Sequence, residues 1–245
     1  MTASRLVLKI SNASKSFGDV TAIAGVNLNL MAGEVFAIAG PNGGGKTTLL
    51  RTIAGLLAPR EMDSVQVLGR SPYQDLELRR QIGYVPDEDD LLDQLTGEEY
   101  MRFMAAAYRR RESEVVAHAY ELAAWLELAA NDLRTKLIGG YSHGMRKKLQ
   151  LVAVLAVKPK LLVVDEPTNG LDPTVVIGLK ELLREQGDTA VLLASHNLGF
   201  AQEVAQRVML LKQTPLKVGE TTAVLHEHGA TRLEDVYERL VLRAV

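Results

Sequence analysis

"EVFAIAGPNGGGKTTLLRTIAGLL", residues 34–57, is the stretch on which the reading of the fold turns. "EVFAIAG" (34–40) is apolar after its first residue and ends in glycine, as a buried strand can. "LLRTIAGLL" (49–57) reads as a helix. Between them "GPNGGGKT" (40–47) matches G-x-x-x-x-G-K-[ST], and it sits where that pattern needs to sit, after a strand and at the opening of a helix. A flexible glycine turn would share the composition without the context.

The chemistry accounts for each part of the loop. Glycines let successive backbone N–H groups turn inward around an anion, and the helix that follows aims its positive dipole end at the same place. Gly40, Pro41, Asn42, Gly43, Gly44 and Gly45 form the cradle, which runs on into Thr48. Lys46 is expected to reach the β- and γ-phosphates of a nucleotide, and the Thr47 hydroxyl to ligate Mg²⁺. The stretch predicts a nucleoside-triphosphate site.

Outward from it, strands and helices alternate, which predicts an α/β fold with a largely parallel sheet. "RLVLKI" and "GVNLNL" precede the loop as short strands, and "SVQVLG" and "IGYVP" follow it. From about 90 to 156 the period becomes helical, which reads as an insertion. Its first helix opens on a capping box, Thr96 with Glu99, and is expected to bury Tyr100, Phe103, Met104 and Ala107. Trp125 is expected inside the packing of the second helix. Beyond the insertion, "KLLVVDE" and "TAVLLASH" are buried strands and "RVMLLK" a short one. The helix after the first of these has Asp172 as N-cap and Pro173 in its first turn. A closing helix starts on a capping box of Thr231 and Glu234.

The bulk composition narrows the classes. The 245 residues allow one large domain with an insertion, and 47% apolar residues suffice for its core. A net charge of −2 leaves no electrostatic footprint for nucleic acid, and with no cysteine there are no disulfides or thiolate metal sites. "MTASRLVLKI" shows no apolar leader region, and "LQLVAVLAV" (149–157) is too short to span a bilayer. Work at a membrane would need a partner that supplies the spanning helices.

Two carboxylates end the strand "LLVVDEP" (161–167). Acids after four buried residues are costly unless they sit at the open end of the sheet, where ligands bind. Asp165 is placed to hold Mg²⁺ and Glu166 to polarise an attacking water, which favours hydrolysis over transfer to a second substrate. His196, in "ASHN", would stand near Glu166 if their strands are neighbours, and would then contact the γ-phosphate and position the water. A second glycine cluster, "GGYSHGMRKK" (139–148), opens a helix with Ser142 as N-cap. Arg146, Lys147 and Lys148 crowd its first turn against the helix dipole, which suggests that this end meets an anion.

Taken together, the motifs resemble the ATP-binding cassette family over essentially the whole chain: Walker A at 40–48, the signature "YSHGM" at 141–145, Walker B at 161–166, the D-loop "NGLD" at 169–172 and His196 as switch histidine. The resemblance implies a P-loop NTPase core with a mostly parallel sheet, a small N-terminal antiparallel β part, and a helical insertion (about 90–156) that carries the signature, all within one nucleotide-binding domain spanning 1–245. It implies ATP and Mg²⁺ as cofactors, and a head-to-tail dimer, homo- or heteromeric. In that dimer Ser142, His143, Gly144 and Met145 face the nucleotide of the other subunit. It also implies Asp172 in the D-loop, Phe17 stacked on adenine, and a separate transmembrane permease subunit that holds the chain on the cytoplasmic face of the membrane. "LTGEEYMRFMAAAY", "YSHGMRKKL" and "LEDVYERL" look most like the bacterial exporter branch.

Two departures stand out. The usual signature is L-S-G-G-Q, and here His143 and Met145 replace its third and last residues. In "GYVPDEDD" (83–90), Asp87 stands where the family usually has a metal-binding glutamine. Asp87 is expected to reach the metal, and Glu88, Asp89 and Asp90 to be solvated or to face the permease. A soluble cassette ATPase acting on DNA or the ribosome remains an alternative, although it would usually carry a second cassette or a long coiled coil. So does a nucleotide-gated scaffold with little hydrolysis, which could dispense with Glu166 and His196. A small-molecule P-loop kinase would not need "YSHGM" or "NGLD".

Overall fold

A computed structural model describes residues 5–61 and 64–243. The first four residues of "MTASRLVLKI", residues 62–63 and the last two residues of the chain lie outside them.

Strands β1 (Leu6–Phe17) and β2 (Val20–Met31) form an antiparallel hairpin, turned at Gly18 (φ 56°). Both are longer than the apolar runs that announced them. Register shifts around Asn12 and Ala13 let the polar segment "SNASKSF" stay paired, and the Asn27 side chain accepts from the Asn12 N–H at 3.0 Å. With β4 (Val65–Val67) the hairpin makes a three-stranded sheet, in the order β2-β1-β4.

The main sheet comprises β3 (Val35–Ala39), β5 (Ile82–Val85), β6 (Leu161–Asp165), β7 (Ala190–Ser195), β8 (Arg207–Lys212) and β9 (Thr214–Glu220). Its order is β5-β6-β7-β3-β8-β9, parallel except for β9, which runs antiparallel to β8. All residues of β3, β6 and β7 are buried, as expected of central parallel strands covered on both faces. The sequence pattern missed β9, because "TPLKVGE" is only half-buried and alternates weakly.

Helix α1 (Lys46–Ile53) follows β3, and the four-residue α2 (Leu76–Arg79) precedes β5. Between β5 and β6 lie α3 (Gly97–Ala107), α4 (Glu112–Trp125), the short α5 (Ala130–Thr135) and α6 (His143–Ala156). The capping box of Thr96 and Glu99 forms as expected. The buried stripe of α3 is turned from the expected one: Met101, Met104 and Ala105 are buried, whereas Phe103 is 49% exposed and stacks on Tyr100. Trp125 is likewise 47% exposed, at the last residue of α4, because α4 buries Val115, Ala119, Leu122 and Ala123 instead.

Helices α7 (Pro173–Arg184), α8 (Leu198–Val204), α9 (Thr221–Glu227) and α10 (Leu233–Arg243) complete the described chain. Asp172 occupies the N-cap position of α7 but makes no side-chain cap bond. The Thr231 box does not open α10, which starts one residue late for it. Gln202 instead accepts the Leu233 N–H at 2.9 Å and donates to the Thr231 carbonyl at 3.0 Å. Among the described residues no helix is long and apolar enough to cross a membrane.

Candidate functional site: a phosphate cradle at the carboxyl ends of the strands

Strand β3 ends at Ala39 and the chain turns through 40–45 into α1. Gly45, at φ 91°, is the N-cap of α1, and a Cβ there would lie 2.3 Å from the Ala22 carbonyl oxygen. Only glycine fits both conditions. Lys46 is the first helical residue and is buried. Its ammonium donates to the carbonyls of Gly40 (2.9 Å) and Pro41 (3.1 Å) and lies 3.4 Å from a Glu166 carboxylate oxygen.

Strands β6 and β7 are neighbours, pairing Asp165 with Ala194, and this brings the two acids and His196 together. Glu166 is 6% exposed and sits at φ 44°. It accepts from the His196 N–H (2.9 Å) and the Ser195 hydroxyl (3.2 Å), and one of its oxygens is 2.9 Å from His196 Nδ1. Asp165 is 1% exposed and neither of its carboxylate oxygens has a hydrogen-bond partner. Burial pushes its pKa up; the nearby Thr47 hydroxyl opposes that shift, and Glu166 and Asp87 add to it.

Lys46, Thr47, Thr48, Asp87 and Glu166 line one cleft of about 390 Å³ with Asn42, Gly43 and Gly45. Asp87 accepts from the Asn169 side chain at 2.8 Å. Val20, Thr21 and Ala22 of the hairpin also line the cleft. Phe17 pairs with Val20 across that hairpin and is 52% exposed, with Lys15 over its ring. Gln213, in the turn between β8 and β9, is a lining residue that the sequence did not announce; its N–H donates to the Gly44 carbonyl at 2.8 Å. No motif marks it, because its place depends on β9.

Ser142, His143, Gly144 and Met145 do not line this cleft. They open α6, where the Ser142 hydroxyl accepts from the Met145 N–H at 3.2 Å as the expected cap. Ser142 and His143 are exposed, and the His143 ring lies against Gly170 of "NGLD".

The three cations of α6 are not aimed at an external anion. The Arg146 guanidinium holds Asp89 (2.6 Å), Asp93 (2.7 Å) and the Ile138 carbonyl (3.1 Å). Lys147 and Lys148 are buried and donate to backbone carbonyls. Bonding to the chain's own oxygens outweighs the dipole penalty of a few tenths of a kcal/mol each. The same contacts correct the reading of "GYVPDEDD". Asp89 is ion-paired rather than solvated, Asp90 is exposed, and Glu88 is exposed with Arg51 at 3.7 Å.

The family model described as "ABC transporter" matches residues 23–169, which include the cradle, both acids and "YSHGM". The chain belongs to the ABC transporter family. It is therefore an ATP-binding cassette of an ATP-hydrolysing family. Among its curated ABC relatives is the daunorubicin resistance ATP-binding protein DrrA3 of Streptomyces coeruleorubidus, 32% identical over 94% of this chain and 73% of that protein. Another is the Nod factor export ATP-binding protein I of Rhizobium sp. (strain N33), 32% identical over 96% of this chain and 77% of that protein. Among solved ABC structures, an ATP-binding subunit of an ABC transporter superposes with a TM-score of 0.88 at 28% identity, covering 96% of this chain and 99% of that one. The dimeric structure of MJ0796, a bacterial ABC transporter cassette, gives 0.76 at 27% identity, covering 87% and 98%.

Proposed function

We propose that this cassette is the ATP-hydrolysing subunit of an exporter. It is one nucleotide-binding domain, with the insertion 90–156, that docks on a separate transmembrane permease at the cytoplasmic face of the membrane and works as a head-to-tail dimer. The observation that carries the hydrolytic part is the buried Glu166, held by His196 at the edge of the phosphate cradle. The relatives named for daunorubicin resistance and Nod factor export support the exporter part. Ser142 and Gly144, outside the chain's own cleft, support a signature that acts on the second subunit's nucleotide.

In this reading ATP lies with its phosphates against the N–H groups of 40–48, and its adenine reaches toward the exposed Phe17. Lys46 exchanges its contact with Glu166 for the β- and γ-phosphates. Glu166, released on that side, takes a proton from the attacking water. The water oxygen bonds to the γ-phosphorus as the bond to the bridging oxygen breaks, and ADP leaves with that electron pair. His196 holds the γ-phosphate in line.

The donor set suits Mg²⁺, a hard cation that takes oxygen ligands and usually one or two carboxylates beside phosphates and water. Asp165 offers two unpartnered oxygens, Thr47 a hydroxyl and Asp87 a second carboxylate on the cleft. When bound, the metal would neutralise charge on the β- and γ-phosphate oxygens.

Purification of the chain from its native membranes tests the proposal. A polytopic membrane subunit should copurify and turn over ATP with it. Isolation of the chain with DNA or ribosomes and no membrane subunit would overturn it.

A further inference from the structure

Lys147 is one of the largest fully buried side chains of the molecule, 2% exposed, and the hydrolysis reading gives it no task. Leu or Met would fill the same volume without the cost of burying an ammonium. Its position accounts for the choice. Strands β5 and β6 pair rung by rung from Ile82–Leu161 to Val85–Val164. Past Val85 and Val164 no further rung forms between these strands, and the next residues are Pro86 and Asp165. The Lys147 ammonium fills that gap, donating to the Pro86 carbonyl at 3.0 Å and to the Asp165 carbonyl at 3.2 Å.

The neighbours of Lys147 on α6 extend the grip along the same loop. Gln150 donates to the Glu88 carbonyl at 2.9 Å, and Arg146 holds Asp89. Asp87, between the gripped positions, faces the cleft and accepts from the Asn169 side chain.

We propose that Lys147 is a positioning residue for the metal site: by bracing the diverging ends of β5 and β6 it fixes the Asp165 carboxylate relative to that of Asp87. The inference rests on the reading above that these two acids and Thr47 hold Mg²⁺. The brace acts on the backbone beneath the carboxylates and not on the cradle, so it should matter only when the metal is present. It also places the first turns of the signature helix in contact with the chain's own metal site.

Binding of a fluorescent N-methylanthraniloyl ATP analogue, in EDTA and across a Mg²⁺ titration, tests this without turnover. Lys147→Met keeps the length and loses the donors. It should bind the analogue as the wild type does in EDTA, while its Mg²⁺ midpoint rises about 10-fold, the lower end of what losing support behind a metal ligand costs. Lys147→Arg, which keeps donors, should restore much of the midpoint. If Lys147→Met does not fold, Lys147→Gln replaces it, being polar but too short to span both carbonyls. A folded Met or Gln variant with the wild-type Mg²⁺ midpoint overturns the inference and leaves the metal site standing. A wild type whose nucleotide binding ignores Mg²⁺ overturns both.

Discussion

Glu166 holds a left-handed backbone conformation, φ 44°, which costs a residue with a side chain about 1 kcal/mol or more. Its carboxylate meets the His196 N–H, the Ser195 hydroxyl and the Lys46 ammonium only because the chain turns there. Glu166→Gln should keep ATP binding and lower turnover by about 10²–10⁴-fold, the range for a positioned general base. Steady-state hydrolysis beside nucleotide affinity measures this, and near-normal turnover would remove Glu166 from the role. At this scale the grouping was legible: Lys46, Thr47, Asp165, Glu166 and His196 stand in short motifs that the fold brings together. The partners of Asp87 and Lys147 were not, because Asn169 and the Pro86 carbonyl come near only after the sheet is built.

Helices were read well where one chemical signal sets their ends, as with the Thr96 box and the Ser142 cap. They were read poorly where neighbours decide. The face of α3 is chosen by the helices it packs on, and the start of α10 by Gln202 from α8. Helix α4 gives a test of such packing. His118, on its inner side, lies 3.4 Å from the Ala156 carbonyl at the end of α6, and burial pushes its pKa below the usual 6.5, more than that carbonyl raises it. The folded value is below the unfolded one. The resulting stability is complete above about pH 6.5 and is lost as the pH falls through the lower, folded value. Thermal midpoints should therefore drop between pH 7 and 5, and His118→Gln should make that drop shallower. Equal slopes for the two proteins would show that His118 does not couple α4 to the pH.

Over the whole molecule, the parallel core and the position of the insertion were readable from alternation and from the order of motifs. The pairing of β9 and the paths that join cleft, loop and α6 were not, since they depend on contacts between segments far apart in sequence. The signature residues do not line the cleft that holds the cradle, and a mixture of two defective chains tests what that separation means. Lys46→Ala and Gly144→Asp should each abolish hydrolysis alone. Mixed, they should recover part of it, because both defects of a head-to-tail dimer then fall on one site and leave the other whole. Continued silence of the mixture, with dimers present by sedimentation, would rule the head-to-tail arrangement out.

The contact between His143 and Gly170 bears on how such a chain can change over generations. A Cβ at position 170 would stand 2.4 Å from the His143 ring, and the backbone there, at φ 74°, already disfavours any side chain. The ring could swing aside, but it would then surrender the position from which the signature touches "NGLD". While the ring keeps that place position 170 has no room for a side chain, and the left-handed backbone asks for glycine there in any case. The constraint runs one way: Gly170 sets no side chain against position 143, so His143 can give way to a smaller residue without a prior change at 170, whereas 170 cannot be enlarged first.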